Sequence, residues 1–213
     1  MGSHTLSRSL RSRYAPAPGP ATVAGMDQIS EALATLRAGG IVGVPTDTVY
    51  GLAVDPYREE SHEALFLLKD REAAKPLAIL VASMEQAMSL AEFTDEALDL
   101  TDRHWPGGLT LVLSRLHDAP DWLGSRERRT IALRSPDHPI AHALLTEAGP
   151  LAVTSANRED EKPAIDAVGA AASFGDAVAY YLEGSAPGGE ASTIVDLTEP
   201  TPIVLRPGPV SAP

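Results

Sequence analysis

The stretch Ile41-Val42-Gly43-Val44-Pro45-Thr46-Asp47-Thr48-Val49-Tyr50-Gly51-Leu52 decides the fold. It begins as a short apolar run, Ile41–Val44, of the length and β-branched character of a buried strand. Pro45 then opens a loop that carries three hydroxyls and a carboxylate, and Gly51 closes it. Upstream, Asp27 is placed to cap a helix whose Ile29, Leu33 and Leu36 share one face, and Gly39-Gly40 ends it. A helix feeding a buried strand that ends in polar residues predicts an α/β sheet with a ligand crevice beyond its strand ends.

The same alternation continues along the chain. Helices are predicted over residues 59–70, after Ser83 (a capping box with Gln86), from Thr94 to about His104, and from residues 135–139 to Gly149. Strands are predicted at residues 77–81, 109–113, 130–134, 151–154, 178–182, 193–197 and 203–205. The last connections are too short for helical crossovers, so the sheet must mix parallel and antiparallel pairs. Residues 1–25 read as a Ser/Arg-rich then Pro/Ala/Gly-rich flexible arm, and residues 26–213 as one domain.

Composition narrows the chemistry. The chain has 213 residues, 29 acidic against 17 basic, and a formal net charge of -12. So acidic a surface repels nucleic-acid backbones in general, and any phosphate site must be a local concentration of cations. Arg8, Arg11 and Arg13 leave an RNA contact by the arm open. With no cysteine there is no thiolate nucleophile, which fits a reducing cytoplasm, and no apolar run is long enough to span a membrane. No H-E-x-x-H metal motif occurs, and no protein-held metal is expected. The phosphate-loop, dinucleotide-binding and nucleophile-elbow glycine patterns are missing too.

Polar residues gather instead at strand ends. Besides the 45–52 loop these are Lys69-Asp70-Arg71 with Lys75, Arg134 before Ser135-Pro136, Thr154-Ser155-Ala156-Asn157, and Ser192 with Arg206. Cations near a helix end can be simple dipole partners, and Ser or Asn are ordinary loop residues. Grouped, they could clamp phosphates and hold a carboxylate.

Taken in order, the motifs PTDTVYGL (45–52), KDR and KPL (69–71, 75–77), WPGGLTLVL (105–113), IALRSP (131–136), TSAN (154–157), STIVDL (192–197) and LRPG (205–208) resemble the YrdC family, which includes L-threonylcarbamoyladenylate synthases. The resemblance spans roughly residues 27–210 and implies a twisted mixed β-sheet, flanked by helices, with a concave basic groove. It implies ATP, L-threonine and bicarbonate as substrates, Mg²⁺ held mainly by ATP, and pyrophosphate as a product. The threonylcarbamoyl-AMP would pass to a transferase that modifies an adenosine of tRNA. By the same resemblance Lys69 and Arg71 are catalytic, and Lys69, Arg71, Ser155, Asn157 and Arg206 surround the nucleotide. Thr46, Tyr50, Lys75, Arg134 and Ser192 hold threonine.

The sequence departs from the family at Arg158-Glu159-Asp160-Glu161-Lys162-Pro163, where relatives usually place Ser-Gly before the proline, and at Gly108, where proline is usual. A short form, without the further domain of longer relatives, is expected. Two other readings remain open at this stage. One is a non-catalytic RNA-binding relative, and the other is an enzyme that carbamoylates and adenylates a different substrate.

Overall fold

The computed structural model describes residues 23–69, 77–158 and 161–211. Helix α1 (Val23–Arg37) opens the fold and already contains Asp27, so Asp27 sits inside the helix rather than capping it. It stops where Gly39 takes a left-handed φ of 85°. Strand β1 (Val42–Val44) follows, and the chain returns through residues 45–50 into β2 (Gly51–Val54), with Val44 paired to Gly51. The sequence reading missed β2. Its four residues are all buried, and a strand covered on both faces shows no alternation to read.

The remaining elements are α2 (Glu59–Leu68), β3 (Ala78–Leu80), α3 (Met84–Met88), α4 (Asp95–His104), β4 (Leu109–Ser114), β5 (Thr130–Arg134), α5 (Pro139–Ala148), β6 (Leu151–Ser155), α6 (Ala167–Phe174), β7 (Tyr180–Tyr181), β8 (Thr193–Asp196) and β9 (Ile203–Arg206). Local caps set several boundaries. Thr94 Oγ1 accepts from the Ala97 N–H at 3.2 Å at the start of α4. Ser83 Oγ accepts from Gln86 N, while Gln86 Oε1 reaches back to the Ala82 N–H at 2.8 Å. Asp166 caps α6 through the Gly169 N–H at 2.8 Å, a helix the sequence reading did not place. None of the helices among the described residues is long and apolar enough to cross a membrane.

Among the described residues the strands join one nine-stranded sheet in the order β7-β1-β2-β6-β3-β5-β4-β8-β9. It is mixed, as the short connections require: β1–β7, β3–β5 and β4–β8 are parallel and the other pairs antiparallel. Because side chains alternate across a sheet, each strand contributes to two cores. On one face Leu52, Ile79, Leu111, Leu133 and Val195 pack with Leu65 of α2, Leu100 of α4 and Phe174 of α6. On the other, Val42, Val44, Ala53, Leu80 and Leu151 pack under Leu36 of α1 and Leu144 of α5. Each fully buried leucine stabilises the fold by roughly 1.5–3 kcal/mol.

Helices α1 and α5 cover only part of that second face. Beyond them Ala78 and Ala132, paired across β3 and β5, together with Thr110 and Ile194, paired across β4 and β8, line an open recess. The small alanines keep its floor low. The strand order thus leaves a concave strip of sheet free for the loops at its ends.

Candidate functional site

The 45–50 connection folds back on its own hydroxyls. Thr46 Oγ1 donates to Val49 O at 2.7 Å, accepts from the Thr48 N–H at 3.2 Å, and lies 3.1 Å from Thr48 Oγ1. Arg134 Nη1 donates to Thr48 Oγ1 at 2.9 Å. Because Thr46 spends its proton on Val49, Thr48 must donate to Thr46, and a directional chain runs from Arg134 through both threonines.

Arg134, the last residue of β5, is 6% exposed and held on three sides. Nε donates to Gly107 O at 2.9 Å and Nη2 meets Asp47 Oδ1 at 2.5 Å. Burial pushes its pKa down, while the charge of Asp47 and the hydrogen bond to it push it back up. The Gly107 N–H in turn donates to Ser135 O at 2.8 Å, which ties the 105–108 turn to the strand end.

Across the recess, Arg206 ends β9 and donates to Ser192 O at 2.9 Å and to Ser192 Oγ at 3.0 Å. Ser192 Oγ also lies 2.8 Å from Thr110 Oγ1. Gly208 permits this closeness, since a Cβ there would stand 2.4 Å from Ala191 O and 2.6 Å from Thr193 N. At Gly108 an added Cβ would lie 2.9 Å from Pro209 Cγ, so the C-terminal segment fills space beside the residue that departs from the family pattern.

Lys69, just past the end of α2, is 7% exposed. Its ammonium donates to Ser155 O at 2.8 Å, to Asn157 Oδ1 at 3.1 Å, and to Asn157 O. Ser155 Oγ donates to the same Asn157 Oδ1 at 2.6 Å. Asn157 Nδ2 donates to Arg158 O at 2.8 Å and to Glu161 O at 3.0 Å. The Phe174 ring lies 6.0 Å from Lys69 Nζ and 5.4 Å from Arg158 Cζ.

Thr46, Arg134, Ser155, Ser192 and Arg206 therefore line a single recess, and among the described residues its only charged lining residues are the two arginines. Lys69 and Asn157 do not line it, but both hydrogen-bond to Ser155, which does. Tyr50 does not reach it. Its side chain is fully buried, its hydroxyl donates to Leu182 O at 2.7 Å, and burial pushes its pKa up. Its phenol, turned into the core, ties the 45–50 connection to the residue that follows β7. Arg71 and Lys75 lie outside the described residues. The sequence reading assigned no role to Asp47, Thr48 or Thr110, although the repeated Thr-Asp-Thr spacing at 46–48 puts both threonines on one side of the loop.

The family described as Sua5/YciO/YrdC, "Telomere recombination", matches residues 34–208. A Mycobacterium tuberculosis relative is 42% identical over 185 residues, covering 86% of this chain and 85% of that protein. The Bacillus subtilis protein named threonylcarbamoyl-AMP synthase is 34% identical over 187 residues, 86% of this chain but 54% of its own length. Among solved structures, P. abyssi Sua5 complexed with L-threonine superposes with a TM-score of 0.80 at 38% identity, over 84% of this chain and 54% of that one. The shared fold, the ordered motifs and this extent of identity agree: the chain belongs to the Sua5/YciO/YrdC family.

Proposed function

We infer that this chain is a threonylcarbamoyl-AMP synthase, a nucleotidyltransferase that serves tRNA modification. The observation that carries the reading is the convergence of Thr46, Arg134, Ser155, Ser192 and Arg206 on one recess whose charged lining is cationic, in a chain of net charge -12. Similarity to a threonine-bound neighbour and to named synthases supports it.

In the reaction we propose, the threonine amine takes up carbon dioxide from bicarbonate and becomes a carbamate. A carbamate oxygen then attacks the α-phosphorus of ATP, the bond from that phosphorus to the β-phosphate oxygen breaks, and pyrophosphate leaves. No enzyme nucleophile is needed, so positioning and electrostatics carry the step. The bonds to Gly107, Thr48 and Asp47 use one N–H on each Arg134 nitrogen. We assign the second N–H on each terminal nitrogen to the substrate carboxylate, a bidentate fit for guanidinium. Thr46 and Ser192 border the amino acid, and the motif match assigns Lys75 to it as well.

Ser155, Asn157, Arg206 and Lys69 border the nucleotide. Lys69 and Arg71 offset charge developing on the phosphates. Among the described residues the polar side chains lining the recess are hydroxyls and arginines rather than carboxylates, a donor set suited to anions. We therefore take Mg²⁺ to arrive on the ATP oxygens, which it favours as a hard cation. The product is a reactive mixed anhydride, so a tRNA-threonylcarbamoylating transferase should consume it, and the cytoplasm is where that chemistry belongs.

Pyrophosphate release by the purified protein, with ATP, bicarbonate and a panel of amino acids, tests the reading. Release should require bicarbonate and be strongest with threonine. A folded protein that ignores threonine would refute it, and salt-sensitive RNA binding without turnover would favour the non-catalytic relative.

A further inference from the structure

We propose that Arg158 and Phe174 are positioning residues for the nucleotide half of the site, acting through Asn157; this rests on the synthase reading above. The charged stretch Arg158-Glu159-Asp160-Glu161-Lys162 follows Asn157, and by composition alone it makes the rim of an ATP site acidic. The geometry gives part of it another task. Both amide hydrogens of Asn157 are taken by backbone carbonyls of the turn, Arg158 O at 2.8 Å and Glu161 O at 3.0 Å. The Glu161 N–H donates to Arg158 O at 3.2 Å and closes the turn. Because only Nδ2 can donate to those carbonyls, Oδ1 must face Lys69 and Ser155, as observed. The turn thereby sets the orientation of the Asn157 amide.

Arg158 anchors the turn. Its guanidinium lies over Phe174 at 5.4 Å and Nη2 donates to Ser173 O at 3.2 Å. Phe174 is the last residue of α6, 5% exposed, and its ring also stands 6.0 Å from Lys69 Nζ. One aromatic ring therefore indexes both the lysine and the turn against a capped helix. The resulting line of contacts runs from α6 through Phe174 and Arg158 to Asn157, then to Ser155 in the recess.

The test is pyrophosphate release by the full chain, with KM measured separately for ATP and threonine, and ATP affinity followed by calorimetry. Arg158→Ala, a surface change, should raise the ATP KM and weaken ATP binding by about three- to tenfold, the scale of one cation–aromatic contact with its hydrogen bond. The threonine KM should stay within about twofold. Arg158→Lys should recover part of the loss, and adding Phe174→Leu to Arg158→Ala should cost less than the two single effects combined, because both break one contact. An unchanged ATP KM and affinity in Arg158→Ala, or an equal rise for both substrates, would overturn the proposal. Wild-type protein inactive with threonine would instead bring down the synthase reading, and the calorimetric comparison would still decide the role of Arg158.

Discussion

Arg134 and Asp47, far apart in sequence, form a buried ion pair with Nη2 and Oδ1 2.5 Å apart and side chains 7% and 15% exposed. The pair joins the end of β5 to the β1–β2 connection and fixes the guanidinium at the recess wall. Deleting one partner of a buried pair strands the other charge. Asp47→Ala should therefore destabilise the fold by about 3–5 kcal/mol in urea unfolding. Asp47→Asn, which keeps an acceptor, should lose less.

Arg134→Ala removes the group proposed to hold the amino-acid carboxylate. Its threonine KM should rise at least about tenfold, the loss of charge-assisted hydrogen bonds, while the ATP KM changes far less. Steady-state kinetics with each substrate varied in turn checks the split. Equal, mild effects on both substrates would mean that the residue is misplaced.

Lys69 spends its hydrogen bonds on Ser155 and Asn157 as well as lending charge. Lys69→Ala should impair ATP use, with an ATP KM at least about tenfold higher and little change for threonine. Hydrogen exchange should also show faster amide exchange at Ala156 and Asn157 in the free variant, since their loop loses its central donor.

Tyr50→Phe separates structure from function at a residue the motif placed with threonine. The hydroxyl is a core donor to Leu182 O. Removing it should cost about 1–2 kcal/mol by leaving a buried acceptor unpaired, with both KM values unchanged. A selective rise in the threonine KM would return Tyr50 to the site.

Asp196 gives the acid limb a sign. Burial pushes its pKa up, but the Thr198 hydroxyl and N–H and the Arg128 guanidinium outweigh that and hold it below its ordinary 3.8. A carboxyl lowered on folding stabilises above its unfolded value, and that contribution is lost as pH falls through the folded value. The stability gap between wild type and Asp196→Asn should therefore narrow as pH drops from about 5 to below 3.8. A gap independent of pH would exclude this role.

Much of the candidate recess was legible in the sequence because polar residues at strand ends carry chemistry that packing does not require. Thr46, Arg134, Ser155 and Ser192 sit at strand ends where polar groups have no structural reason to accumulate, and the structure brings them together. Other features depended on tertiary context. β2 has no amphipathic period because both its faces are covered, and α6 is a short, alanine-rich segment whose main signal is the Asp166 cap. Tyr50 stands apart from its motif neighbours, which face the recess while its own side chain crosses to the core. The Asp47–Arg134 pair and the Phe174 contacts bring together residues distant in sequence, and no local pattern announces them.

A crystal structure of the protein with threonine and a non-hydrolysable ATP analogue tests the central claim most directly. The account predicts both ligands in the one recess, with the amino-acid carboxylate on Arg134 and the nucleotide between Ser155 and Arg206. Threonine bound away from Arg134, or the nucleotide on another face of the sheet, would contradict it.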